Sequence, residues 1–469
     1  MSNTTKTSKM NRIVILNIIG TFFYQAINFI LTPVLTRALG NYDFGIVTLY
    51  TSWVNLLIPI LSLSIDACVS LVVVYIDEKE RPKYFTSLIG LSSLSFAVVG
   101  TLVLIFLKPI SQFLQFEPIV VVMLIIQCFG MMLVRFMIAY CVQHQKTIMQ
   151  FAFSISVSVL TCFGTLGLLY FITEESDKYL CRIFGFSIPY FAVGLVVIAM
   201  MLRLSRNWFC VKAWKFALPI CIPFIFHTLS HIVLNQSGKL VLQKSLENGV
   251  ELAGYYGFAY TLATVMQILW TAFNHAWVPY YYKLLKEDKQ EEILASSKRY
   301  MNLYTGGFMA FVLISPEFTR IMGGAEYAGA DKLVLLLLVG IYFIYLYSFA
   351  VNFKTFQKRT ASIAVGTIIA AAVNFILCVL LTRHLSYWGS AIAMVVSYLV
   401  LLIVHQLTVR DKTGKYNYSV WFFVSGTLKV LATCGVCLIL SDFMIIRWIA
   451  GFAIGIFLLV KIIKQKRIF

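Results

Sequence analysis

Asn17, Thr21, Gln25, Asn28 and Thr32 fall at steps of three or four along one apolar stretch. Thr48, Ser52, Asn55, Ser62, Asp66 and Ser70 repeat that pattern along the next. Residues at such spacing share one face of a helix. The second half holds two more stripes: His227, His231, Asn235 and Lys239, then Thr261, Thr264, Thr271, Asn274 and His275. A lone Ser or Thr in such a position glues helices together at about 0.6 kcal/mol per contact. Four stripes together predict a water-filled cavity that binds a polar guest.

Charges within the apolar stretches narrow the guest. Arg135, Lys239 and Lys429 are cations at positions where hydrocarbon is expected. Each costs a few kcal/mol there unless it is paired or hydrated. Arg135 either snorkels to an interface about two helical turns away or contacts the guest. Lys239 either reaches the outer interface or lines the cavity. Asp66 is the clearest intramembrane acid, able to pair with a cation or carry a coupling proton. Asp66 and Arg37 are the candidates for coupling or gating, and Arg135, Lys239, Gln25, Asn28, Asn55, His231 and Asn235 those for binding. The cavity is more basic than acidic, which suits phosphate or carboxylate groups.

Motifs for covalent chemistry are missing. Gly238-Lys239-Leu240 lacks the loop and hydroxyl of a phosphate-binding G-x-x-x-x-G-K-[ST] motif. His227-Thr-Leu-Ser-His231 has metal-ligand spacing but no glutamate, so it does not read as a zinc hydrolase helix. Cys434-Gly-Val-Cys437 sits inside an apolar block and reads as packing. The remaining cysteines, Cys68, Cys128, Cys162 and Cys378 among them, read as small buried hydrophobes. No enzyme activity, metal or cofactor is expected, and any transport is driven by a gradient or the membrane potential.

The elements that carry these residues are membrane helices. Of 469 residues, 60% are hydrophobic and only 12% charged, and mean hydropathy is +0.85. About fourteen apolar blocks have the length, roughly 20 residues, that crosses the hydrocarbon core. They run 13–36, 44–75, 85–107, 118–142, 148–172, 181–202, 216–242, 253–282, 297–315, 332–353, 360–382, 387–409, 417–440 and 443–462. Backbone groups in lipid must pair internally, so each block is a helix. The N-terminal stretch does not read as a cleavable signal.

Net charge is +18. The basic residues collect in alternate connections, such as Lys79 to Lys83, Arg203 to Lys215, Lys283 to Arg299, Lys354 to Arg359 and Arg410 to Lys415, and at both termini. The opposite connections carry few, including Arg37, Arg182, Lys244, Arg320 and Arg447. That asymmetry places both termini in the cytoplasm. It accounts for the charge without nucleic acid. No large outer loop is present, which counts against a glycan polymerase.

An internal repeat organises the chain. Leu35, Arg37, Leu39 and Gly45 pair with Leu242, Lys244, Leu246 and Gly254. The two copies join the first and second spans of six-span units entering from the same side, a parallel-repeat transporter architecture. The expected domains are 1–212 and 213–412, each a six-helix lobe, followed by two further helices and a basic tail in 413–469.

Several segments resemble the oligosaccharide flippases, the polysaccharide-transport branch of the multidrug/oligosaccharidyl-lipid/polysaccharide exporter superfamily. Asn17 to Gly20, Pro33, Leu35-Thr-Arg-Ala-Leu-Gly40 and Asp43-Phe-Gly45 look like that family's first two spans. Phe216-Ala-Leu-Pro219, Gly254-Tyr-Tyr-Gly257 and Ala276-Trp277-Val-Pro279 look like its seventh and eighth. Ala371-Ala-Val-Asn374, Gly389-Ser-Ala391 and Ser397-Tyr398 look like its eleventh and twelfth. The resemblance implies an all-α integral membrane protein, two six-helix lobes in a V around a cationic cavity with two extra C-terminal helices. It implies flipping of undecaprenyl-diphosphate-linked oligosaccharide between leaflets of the cell membrane, alongside a glycan polymerase and glycosyltransferases. Where many members carry an acid–base pair late in the seventh span, this chain has Gly238-Lys239, which keeps the base and loses the acid. A lipid-linked peptidoglycan precursor flippase and a drug or cation antiporter of the same fold remain as alternatives, the latter expecting a more acidic cavity.

Overall fold

The computed structural model describes the backbone of residues 2–172, 177–409, 411 and 414–465, with side chains in those stretches from 29 to 461 and at 463. Among the described residues every regular element is helical. The order is α1 Ser2–Leu61, a 3-10 turn Ile65–Cys68, α2 Val69–Tyr75, α3 Arg81–Ile105, α4 Leu107–Leu114, α5 Pro118–Gln143 and α6 Thr147–Phe171. There follow α7 Lys178–Leu204, α8 Val211–Ser245, α9 Gly249–Lys286, α10 Gln290–Met322 and α11 Ala330–Phe356. The chain closes with α12 Thr360–Leu407, α13 Val420–Ile439 and α14 Met444–Gln465.

α1 is two helices joined at Gly40 (φ 66°, ψ 176°), and α12 is two joined at Ser386 (φ 53°, ψ −139°). Divided there, and with the short α2 and α4 set aside, the helices correspond one to one with the fourteen apolar blocks. Ten helical segments among the described residues are long and apolar enough to cross a membrane. α9 and α10 are long enough but more polar; α10 opens with Glu291, Glu292, Lys298 and Arg299.

Several helices end in the same way. Gln115, Gln145, Asp288 and Lys358 adopt left-handed φ of 52–59°. The next residue's N–H then closes onto a carbonyl five residues back: Phe116 to Ser111, Lys146 to Cys141, Lys289 to Leu284 and Arg359 to Lys354. This is the Schellman closure, made here without glycine.

The contacts cluster into two compact units, Met1–Gln236 and Ser237–Phe469, divided within α8. In the first unit α7 packs against both α5 and α6. Close approach is what glycine permits between membrane helices. A Cβ at Gly130 of α5 would lie 2.5 Å from the Tyr190 carbonyl carbon and oxygen, and one at Gly185 of α7 2.6 Å from the Thr165 backbone. Gly130→Leu and Gly185→Val are therefore expected to destabilise the detergent-solubilised protein by about 1–3 kcal/mol or more. A melting curve checks this, and unchanged melting would mean that the two helix pairs pack elsewhere.

In the second unit α11 is buried nearly all round, as a central helix must be. Tyr345 of α11 packs at a tilt of 36° against Tyr304 of α10, 4.1 Å between centroids, and meets Tyr300 edge-on at 5.4 Å. α10 also packs on α13 and α14. Arg447, counted by sequence among the outer-side basic residues, is 0% exposed. Its Nη1 donates to Glu317 Oε2 at 3.1 Å, and its Nη2 to Glu317 Oε1. Its other N–H groups reach the carbonyls of Leu313, Leu440 and Ser441, and Trp448 Nε1 donates to Glu317 at 3.1 Å. All five guanidinium donors are thus used. Arg182, also assigned to an outer connection, is 7% exposed, donates to Thr165 Oγ1 at 3.2 Å and lies 4.6 Å from the Phe186 ring.

Candidate functional site

The second apolar block is not one helix. After Pro59 in α1 the chain breaks: Leu63 and Ser64 adopt left-handed φ of 53° and 48°, and the 3-10 turn leads into α2. Serines satisfy the backbone that the break exposes. Ser62 Oγ accepts from Ser64 N at 3.1 Å, Ser64 Oγ donates to Pro59 O at 3.3 Å, and Ser92 Oγ of α3 donates to Ser62 O at 3.1 Å. Non-helical backbone at membrane depth is tolerated only where partners are supplied in this way. Asp66 sits half-buried in the 3-10 turn, just ahead of α2. A helix start favours a carboxylate. Interrupted spans are where membrane transporters place binding and coupling groups. Pro59 and the run Ser62-Leu-Ser64-Ile-Asp66 were the available signals.

Asn55 lies half-buried on the limb of α1 before the break. Arg37 is exposed near the end of the first limb and donates to Pro33 O at 2.9 Å. Gln25 and Asn28 lie outside the residues whose side chains are described. On α5, Arg135 is exposed although Val134 and Phe136 beside it are buried. Among the described residues no carboxylate pairs with it. It lies eight residues from the end of α5, about 12 Å of helical rise. Nearby in the same unit, Gln127, Ser187 and Tyr50 form a buried polar chain with links of 3.0 and 2.8 Å. Ser52 donates to Gln236 at 3.0 Å. On α8, the half-buried Asn235 bonds the His231 ring at 3.1 Å.

In the second unit Lys239 is 8% exposed, with its ammonium 4.7 Å from the centre of the Tyr260 ring. Gly238 beside it lets Ser390 Oγ donate to its carbonyl at 3.2 Å, and Ser390 also bonds Thr382 at 2.9 Å. Ser237 donates to Asn374 Oδ1. Lys354, grouped by sequence with a solvated basic cluster, is instead buried; its ammonium contacts His405 Nδ1 at 3.0 Å and Thr408 Oγ1 at 2.6 Å.

The α9 stripe also resolves differently from a bare wet face. Thr261, Thr264 and Thr271 donate to carbonyls three or four residues back in their own helix. Asn274 accepts from Asn352 of α11 at 3.0 Å. Hydroxyls that fold back on their own helix need no water and no guest.

Long apolar helices in two compact units, one holding a broken span and an exposed mid-helix cation, make this a polytopic helical membrane protein built as membrane transporters are. The chain belongs to the polysaccharide biosynthesis protein family, whose model matches residues 11–285. Among solved structures it is similar to the lipid II flippase MurJ in an inward closed conformation, with a TM-score of 0.70 and 14% identity over 97% of this chain and 100% of that one. It is also similar to an inward-facing multidrug resistance MATE family transporter of the MOP superfamily, with a TM-score of 0.61 and 13% identity over 88% and 95%. The eukaryotic MATE transporter AtDTX14 aligns with a TM-score of 0.56 and 14% identity over 92% and 99%. No curated protein sequence matches the chain. The fold is thus the one shared by MurJ and the MATE transporters.

Proposed function

We propose that this chain is a flippase. It moves undecaprenyl-diphosphate-linked oligosaccharide from the inner to the outer leaflet of the cell membrane by alternating access, for capsule, O-antigen-like or other surface polysaccharide export. The observation that carries this reading is Arg135, an exposed guanidinium on a buried helix of a protein in the polysaccharide biosynthesis family. A diphosphate is the group that a guanidinium binds best, through paired hydrogen bonds. Arg135, Lys239, Gln25, Asn28, Asn55, His231 and Asn235 are the residues assigned to substrate binding. Asp66 and Arg37 act in coupling or gating. The lobes are 1–212 and 213–412, and 413–469 adds two helices and a tail; both termini face the cytoplasm. A glycan polymerase and glycosyltransferases are its working partners.

A second reading, a lipid II-type precursor flippase, draws on the fold shared with MurJ. The family match favours the first. Cationic drug export is disfavoured by the two cations among the binding residues. In proteoliposomes holding the purified protein, a fluorescent polyprenyl-diphosphate oligosaccharide is expected to become accessible to an enzyme on the far side. Movement of lipid II in place of that oligosaccharide supports the second reading. Efflux of ethidium without either lipid rejects both.

A further inference from the structure

α10 and α13 flank an open-sided cavity of about 370 Å³ within the second unit. Lys298 and Asn302 line it from α10, Lys429 and Trp421 from α13, and Asn417 and Ser419 from the connection before α13. Neither lysine has a carboxylate partner among the described residues. Both lysines are exposed, and an anion in the cavity is attracted to each of them.

Tyr418 bonds Ser297 of α10 at 2.7 Å, which seats the start of α13 beside that turn of α10. Lys298 therefore enters the cavity near the start of α13, and Lys429 lines it nine residues, roughly 14 Å of rise, further along. Asn302, Asn417 and the Ser419 hydroxyl add hydrogen-bonding groups around the same volume.

The surroundings decide what carries the anion. Leu294, Met301 and Phe422 complete the wall, and Trp421 stands 66% exposed at its edge. A polar, dibasic cavity set into an apolar helix surface fits a phosphate with acyl chains attached. Basic pockets between membrane helices bind anionic head groups by this arrangement. We infer that the cavity between α10 and α13 is a binding site for the phosphate head group of an anionic phospholipid, held by Lys298 and Lys429. The site is separate from the residues assigned to the transported substrate.

Full-length protein in micelles of neutral detergent is titrated with phosphatidylglycerol, phosphatidylcholine or soluble glycerol phosphate, and bound lipid is counted by native mass spectrometry. Saturable binding of phosphatidylglycerol, with phosphatidylcholine at background, is expected. The double variant Lys298→Gln/Lys429→Gln should bind phosphatidylglycerol roughly tenfold to thirtyfold more weakly, the worth of two basic contacts. Lys298→Arg/Lys429→Arg should retain it, which separates loss of charge from loss of fold. Equal binding of both phospholipids, or undiminished binding by the Gln pair, overturns the assignment. So does lysine-dependent binding of glycerol phosphate as tight as that of the lipid, since the site would then take a free phosphate.

Discussion

Arg135→Ala is expected to slow flipping of the polyprenyl-diphosphate oligosaccharide by about tenfold to a hundredfold, with insertion and melting unchanged. A hydrogen bond to a charged group contributes about 1.5–3 kcal/mol, and 1.36 kcal/mol is a factor of ten in rate. The side chain is exposed, so alanine opens no cavity and removes no ion pair. Arg135→Lys should recover part of the rate, because a point charge replaces a planar fork. Lys239→Ala is the companion variant, and there some loss of stability is expected, since its stem is packed and its ammonium faces Tyr260. If both alanine variants flip at the parental rate with normal insertion, Arg135 is merely snorkelling and the cationic-site account fails.

The other large effect concerns stability. Arg447→Ala or Glu317→Ala should each destabilise the protein by about 3–5 kcal/mol, the usual cost of leaving half of a buried ion pair. Each single variant strands a charge among groups arranged for its partner: Arg447 is wholly enclosed, and Glu317 also receives Trp448. The double variant Arg447→Leu/Glu317→Leu should lose less than the two single losses combined, because no bare charge remains. Thermal unfolding in detergent measures all three. A double variant as unstable as that combined loss would show that the pair acts through packing alone and not through charge.

Helix count and placement were legible because hydrocarbon imposes them: a block of about 20 apolar residues has no other way to pair its backbone in lipid. Three of the four repeat pairs share environments, while Leu39 is buried and Leu246 half-buried. Leu35 and Leu242 are buried, Arg37 and Lys244 exposed, and Gly45 and Gly254 buried. What escaped were decisions that depend on a partner distant in sequence. Glu317 lay just past the expected end of its span, and its acid had no visible mate until Arg447 arrived from α14. Lys354 looked like one more solvated lysine because His405 lies 51 residues away. Periodicity could show that the α9 threonines share a face, but not that their hydroxyls bend back onto their own helix. The 44–75 block is long for a single span, and the polar run Ser62-Leu-Ser64-Ile-Asp66 falls where its conformation changes, at Leu63.

That change at Leu63 has a mechanical consequence. An ordinary kink would have to lose or regain water each time it flexed, since its loosened carbonyls would look for new partners. Here three serines hold the loosened groups. Straightening or bending this elbow would have to break those three bonds, so Asp66 keeps its place ahead of α2 for as long as they hold.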